Sequence, residues 1–167
     1  MKKLGVLIVC TGNICRSPTA EGVMRELASR RGVEAFVEVA SAGTHDYHVG
    51  EAPDPRAVEH ASKRGYDLSR QRAAQVKRKD FESYDFILAM DRGHLRLLRA
   101  MQPAGSRAAL GLFLDESGRW KGEDVPDPYY GGTEDFERVL DMVEEAAARW
   151  LDRLGARQDP AQVRVHG

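Results

Sequence analysis

Short apolar runs rich in β-branched residues alternate with stretches of helical period along this chain, and no other feature limits its fold as much. Leu4 to Val9 (LGVLIV) carries no polar side chain, the pattern of a strand covered on both faces. Ser17-Pro18 then offer an N-cap and a proline for the first helical position, and Ala20, Val23, Met24, Leu27 and Ala28 fall on one face before Gly32 stops the helix. The unit recurs. Phe36 to Gly43 reads as a strand and Pro55 to Arg64 as a helix ended by Gly65. Tyr84 to Asp91 reads as a strand leading into a helix through RGHLRLLRAM, and Ala108 to Asp115 as a fourth strand. The last helix, Thr133 to Leu154, carries Phe136, Val139, Leu140, Val143, Ala147, Trp150 and Leu151 along one side. Such alternation predicts an α/β fold: a single three-layer domain with a four-stranded parallel sheet and helices on both faces.

A chain of 167 residues fits one domain, 1–154, followed by a tail, 155–167, that has no periodic pattern and is expected to fray. The formal net charge of -1 gives no global pull toward nucleic acid or an anionic membrane, so neither is expected as a partner. Two cysteines cannot build a disulfide framework, no Cys-x-x-Cys occurs, and the five histidines are scattered, so no metal site is expected and a reducing, cytoplasmic compartment is. The apolar run after Lys2-Lys3 stops at Cys10 and leads into Thr-Gly-Asn rather than a small-residue cleavage site, which argues against a secretory signal.

In an open parallel sheet, ligands bind beyond the carboxyl ends of the strands. Four segments are therefore candidate neighbours: Cys10 to Ser17, Ser41 to His48, Met90 to His94, and the stretch ending in VPDPYYGG at Gly132. The first is the most informative. A loop from a buried strand into a helix N-terminus gathers unpaired N–H groups at the positive end of the helix dipole, a ready site for an anion. Gly12 and Asn13 can take the positive φ that curls such a loop inward, and Arg16 adds a planar fork for two phosphate oxygens. Those dipoles and that guanidinium favour thiolate over thiol at Cys10, which makes it a nucleophile aimed at a bound phosphoryl group, with the Ser17 hydroxyl placed to donate to it. No Gly-Lys-Ser or Gly-Lys-Thr is present, so the loop is not a Walker A.

Cleavage of a phosphomonoester releases an alcohol whose oxygen must be protonated, so an acid must face the nucleophile. Asp46, Asp91, Asp124 and Asp127 are the rim candidates, and Asp127 is flanked by Pro126 and Pro128, which restrict the backbone on both sides. Tyr129, Tyr130 and Tyr47 could form an aromatic wall, with His48 at the rim.

The sequence from Cys10 to Pro18, CTGNICRSP, resembles the signature loop of the low-molecular-weight protein tyrosine phosphatases. SAGT after the second strand, PDPRA at Pro53 to Ala57, ILAMD at Ile87 to Asp91 and DPYYGG at Asp127 to Gly132 are similar to that family in order and spacing, so the likeness runs to about Leu154. It implies Cys10, Arg16 and Asp127 as the catalytic residues, with Asp127 as acid. It implies Thr11, Gly12, Asn13, Ile14, Cys15, Tyr47, Tyr129 and Tyr130 around the substrate. Asn13 would hold the loop in shape, Ser17 tune the thiolate, and Ser41 join their network. The implied reaction needs no cofactor. It acts on a phosphotyrosine-containing protein or an aryl phosphate through a phosphocysteine, with phosphate or vanadate as inhibitor. The redox behaviour of the family implies further that Cys15 captures an oxidised Cys10 as a disulfide before it passes to sulfinic acid. One departure stands out: where the family commonly shows His-x-Ala-Arg-Gln, this chain reads Gln71-Arg72-Ala73-Ala74-Gln75, so the support behind the loop must differ.

Three other readings share the loop. Thioredoxin-linked arsenate reductases of this fold relay a disulfide through cysteines beyond the loop, and none follows Cys15. Phosphoarginine phosphatases carry threonine at the place of Ile14. A non-catalytic phosphopeptide-binding module needs neither a nucleophile nor an acid.

Overall fold

Every residue of the first strand from Gly5 to Cys10 is buried, and its place in the sheet explains why. The computed structural model describes residues 3–158. It runs β1 (Leu4–Cys10), α1 (Arg16–Arg30), β2 (Val37–Gly43), α2 (Pro55–Lys63), α3 (Asp80–Ser83), β3 (Phe86–Ala89), α4 (Arg92–Met101), β4 (Ala109–Leu112) and α5 (Thr133–Gln158). The four strands are parallel in the order β2-β1-β3-β4, with Val6 opposite both Val39 and Phe86, and Phe86 opposite Ala109. A strand with two neighbours and a helical layer on each face meets no water, so it can be apolar throughout.

Alternate residues feed two cores. Val6, Ile8 and Cys10 pack with Val39, Phe86 and Leu88 beneath Val23 and Met24 of α1 and Leu140, Val143 and Trp150 of α5, with Ala57 and Ala61 of α2 at the side. Leu7 and Val9 pack with Ala42, Ile87 and Ala89 beneath Phe81 of α3 and Leu95 and Leu98 of α4. The three layers, the parallel sheet and the two-sided helices are as the sequence predicts. Among the described residues, no helix is long and apolar enough to cross a membrane.

Several boundaries differ. Helix α1 begins at Arg16 with Cys15 at its N-cap and no side-chain cap, so Ser17 lies inside the first turn, and its hydroxyl is used elsewhere. The strand expected from Ala108 to Asp115 stops at Leu112, and Phe113–Glu116 form a 3₁₀ turn; Phe113 and Leu114 are as buried in that turn as they would be in a strand, so their apolarity did not reveal the change. The short α3 was not expected. Helix α5 passes Leu154 and continues to Gln158, while the rest of the expected tail lies outside the described residues.

Candidate active site

Cys10 ends β1, 3% exposed, and the loop beyond it is clipped to the end of β2: Thr44 N–H donates to the Cys10 carbonyl at 2.8 Å, and His45 N–H to that of Thr11 at 3.0 Å. The approach is so close that a Cβ on Gly43 would lie 2.6 Å from the Thr11 carbonyl oxygen. Of the two residues expected to take positive φ, only Asn13 does, at 60°. A Cβ on Gly12 would lie 2.8 Å from His48 Cδ2, so a side chain there would displace that ring.

Asn13, 3% exposed, is held in that rare conformation by its side chain. Its Oδ1 accepts Ala74 N–H at 3.0 Å, so its Nδ2 must donate, to Ser17 Oγ at 2.8 Å and Ser41 Oγ at 2.9 Å. Each serine, having accepted, passes its own proton on. Ser17 lies 2.9 Å from Cys10 Sγ, and Ser41 donates to Glu21 Oε1 at 2.7 Å. Hydrogen bonds to sulfur favour the charged thiolate. Glu21 is buried, which raises its pKa against the pull of Ser41 and Arg25, and Gln71 Nε2 donates to the Pro18 carbonyl at 2.9 Å. The support left open by the loss of the usual histidine and arginine is thus a main-chain N–H from Ala74, a Gln71 side chain bonded to Pro18 of α1, and Glu21 behind Ser41. Sequence reasoning missed Glu21; its helical spacing from Arg16 and Ser17 was the available signal.

Arg16 is 4% exposed. Its Nη1 donates to Asp91 Oδ2 at 2.8 Å and to the Val125 carbonyl at 3.0 Å, and its Nη2 lies 3.7 Å from Asp127 Oδ2. The four candidate acids separate on these contacts. Asp91 caps α4 by accepting His94 N–H at 2.9 Å, and although burial opposes it, that bond together with His94 and Arg16 holds its carboxyl below the usual range. Asp124 pairs with Arg92 at 3.2 Å, and Asp46 is exposed outside the cavity. Asp127 alone of the four lines the cavity.

That cavity measures about 350 Å³. Cys10, Thr11, Gly12, Ile14, Cys15 and Arg16 form its floor, and Tyr47, His48, Asp127, Tyr129 and Tyr130 its walls. Tyr47 stacks on His45 at 4.9 Å, and Tyr129 and Tyr130 meet edge to face at 4.9 Å. Asn13 and Ser41 do not line it, since their side chains serve the loop from behind. A family model for the low molecular weight phosphotyrosine protein phosphatases matches residues 5–159.

The chain belongs to that family. A low molecular weight protein-tyrosine-phosphatase of Streptomyces coelicolor is 44% identical over 149 residues, covering 87% of this chain and 90% of its own. A protein tyrosine phosphatase of Entamoeba histolytica, solved with Hepes in its active site, superposes with a TM-score of 0.89 at 34% identity, covering 94% of this chain and 100% of its own. An arginine phosphatase of Drosophila superposes with a TM-score of 0.83 at 29% identity, covering 89% and 96%. A phosphatase family of cysteine-dependent hydrolases acts on phosphoproteins or phosphate esters.

Two further groups of this phosphatase bear on the site. Both cysteines are free and buried. Burial pushes the Cys15 thiol pKa far up, with the charges of Asp54, Cys10 and Asp127 adding to it. His94, which sequence reasoning left unassigned within MDRGH, is 5% exposed, and its Nε2 lies 2.7 Å from Thr11 Oγ1. Its Nδ1 lies 3.0 Å from Asp91 Oδ1, off the line of a hydrogen bond, and is unpartnered among the described residues. The Thr11 hydroxyl fits either ring tautomer, donating to a bare Nε2 or accepting from a protonated one.

Proposed function

We propose that this phosphatase hydrolyses phosphotyrosine in proteins, and small aryl phosphates, through a phosphocysteine. The observation that carries the reading is that Cys10, Arg16 and Asp127, from separate loops, line one cavity whose upper walls are tyrosines. The thiolate of Cys10 attacks phosphorus. As the S–P bond forms and the P–O bond breaks, Asp127 gives its proton to the leaving phenolate. Arg16 Nη1 is spent on Asp91 and Val125, which leaves Nη2 and Nε as a fork for two phosphoryl oxygens beside the loop N–H groups. Water then attacks phosphorus, Asp127 takes back a proton, and thiolate and phosphate depart. Phosphate and vanadate compete for the same cradle.

A buried sulfur under aromatic walls suits a phosphate carried on a long, flat ring better than one on a short serine side chain. Ile14, half-buried on the floor, supports phosphotyrosine over phosphoarginine, where the related enzymes carry threonine. The deciding assay offers phosphotyrosine, phosphoserine and phosphoarginine peptides and arsenate side by side. Phosphotyrosine is expected to turn over fastest by at least ~100-fold, about 2.7 kcal/mol of discrimination; equal or faster turnover of phosphoarginine, or arsenate reduction, removes this reading.

The same reading makes Cys15 a resolving thiol in the cytoplasm. Peroxide converts Cys10 to a sulfenic acid; the Cys15 sulfur attacks it to form the disulfide, the thiol proton leaving with the displaced hydroxide as water, and an external dithiol reduces the bond. Recovery of activity with dithiothreitol is expected in the wild type and is lost in Cys15→Ser.

A further inference from the structure

The chemical groups of this site ride on loops of unequal support. Cys10 is fixed by the Asn13 network and Arg16 by Asp91 and the Val125 carbonyl, whereas Asp127 sits exposed between the buried Val125 and Pro128. Proton transfer requires the acid to stand at hydrogen-bond distance from the leaving oxygen, and therefore at a set distance from the phosphate loop. We infer that Arg56 is a positioning residue that clamps the Asp127 loop onto the phosphate loop, an inference that rests on the reading of Asp127 as the acid.

Arg56 stands in the first turn of α2, whose N-cap is Asp54. Asp54 N–H donates to the Ile14 carbonyl at 2.8 Å, which fastens the start of α2 to the phosphate loop. The Asp54 carboxylate then grips Arg56 at three points: Oδ1 accepts from the backbone N–H at 2.8 Å and from Nε at 3.1 Å, and Oδ2 accepts from Nη2 at 2.9 Å. That fork fixes the plane of the guanidinium. From this plane Nη2 donates also to the Tyr129 carbonyl at 2.9 Å, and the cation lies over the rings of Tyr129 at 5.5 Å and Phe136 at 4.7 Å. Tyr129 N–H in turn donates to Asp127 Oδ1 at 3.0 Å. Besides Arg16 Nη2, which lies 3.7 Å from Asp127 Oδ2, the Arg56 side chain joins Ile14 and the start of α2 to the Asp127 loop.

An exposed ion pair alone would carry little. Here Asp54 is 9% exposed, the contact is bidentate, and the guanidinium, itself part-exposed, lies against two aromatic faces. Arg56 does not line the cavity, so it acts on the reaction through Asp127 and not on the substrate. Lysine, with a compact charge and no planar fork, cannot hold Asp54, the Tyr129 carbonyl and two rings together.

The test compares kcat/KM on phenyl phosphate, whose phenol leaves poorly unless protonated, with 2,4-dinitrophenyl phosphate, whose phenol departs without help. Arg56→Ala is expected to lower the first by about tenfold and the second by less than about twofold, with Arg56→Lys changed in the same sense. Asp127→Ala shows the same contrast more strongly, and adding Arg56→Ala to it changes neither substrate further. Asp54 remains as N-cap in both Arg56 variants; if Arg56→Ala melts below the assay temperature, Arg56→Lys carries the same comparison. An equal loss on both substrates, or an Arg56→Ala loss undiminished in the Asp127→Ala background, overturns the inference. A flat leaving-group response in Asp127→Ala removes Asp127 as the acid and the inference with it, so the two failures read differently.

Discussion

The direction of one hydrogen bond governs the chemistry of Cys10. Ala74 N–H fixes which end of the Asn13 amide faces it, both Nδ2 hydrogens are then committed to serines, and the Ser17 proton is directed to sulfur. Ser17→Ala deletes that donor while leaving Arg16 and the loop N–H groups in place. A hydrogen bond to a charged partner contributes roughly 1.5–3 kcal/mol, so alkylation of Cys10 by iodoacetate near pH 6 should slow by about tenfold or more. An unchanged rate means that the Ser17 proton goes instead to the Ala42 carbonyl, 3.5 Å away. Cys10→Ser should abolish turnover and still bind vanadate, measured by calorimetry, because the cradle survives. Arg16→Lys should lose more than about tenfold in kcat/KM, since an ammonium offers no fork once Asp91 and Val125 are satisfied.

At the scale of elements, the first turn of α4 carries a pH dependence. His94 is buried there, which pushes its pKa down to about 4 from an ordinary 6.5; Arg16 and His45 add to this while Asp91 and Asp127 oppose it, and the positive end of the α4 dipole acts in the same sense as burial. Between pH 6.5 and 4 the unfolded chain binds the extra proton and the folded one does not. The contribution is therefore complete above pH 6.5 and is lost as the pH falls, on the order of 3 kcal/mol across the window. Urea unfolding from pH 7 to 4.5 should show a shallower decline in His94→Gln than in the wild type; parallel curves would mean that His94 keeps its proton balance on unfolding. The helix itself was legible, because RGHLRLLRAM has the period and Asp91 the capping chemistry. The role of His94 was not, because its partner Thr11 is 83 positions away and a buried histidine looks the same in sequence whatever it touches. Asp91 and Asp127 are both rim carboxylates; the prolines beside Asp127 set it apart in sequence, and the structure adds that Asp91 caps α4 and holds Arg16 while Asp127 lines the cavity. Phe113 and Leu114 erred in the other direction, since apolar residues report burial and not whether the backbone that buries them is a strand or a turn.

Across the whole molecule, the face of β1 that carries Cys10 is covered by α1 and α5 together. Trp150 is 3% exposed, its Nε1 donates to the Phe113 carbonyl at 2.7 Å, and its ring meets Phe86 edge-on at 5.6 Å. Trp150→Ala leaves a large cavity beneath α5 and removes the indole donor to Phe113, and should cost about 3–5 kcal/mol in chemical denaturation; a loss under about 1 kcal/mol would mean that α5 is dispensable to the core. This arrangement also imposes an order in time. Among the described elements the strand that carries Cys10 comes first in chain order, and the helix that roofs it comes last. During translation Cys10 therefore waits, while more than a hundred residues are added, for the neighbours that bury and restrain it. A nascent chain halted after β4 is expected to react with a thiol reagent at both cysteines, whereas the finished protein reacts first at Cys10 through the mouth of its cavity.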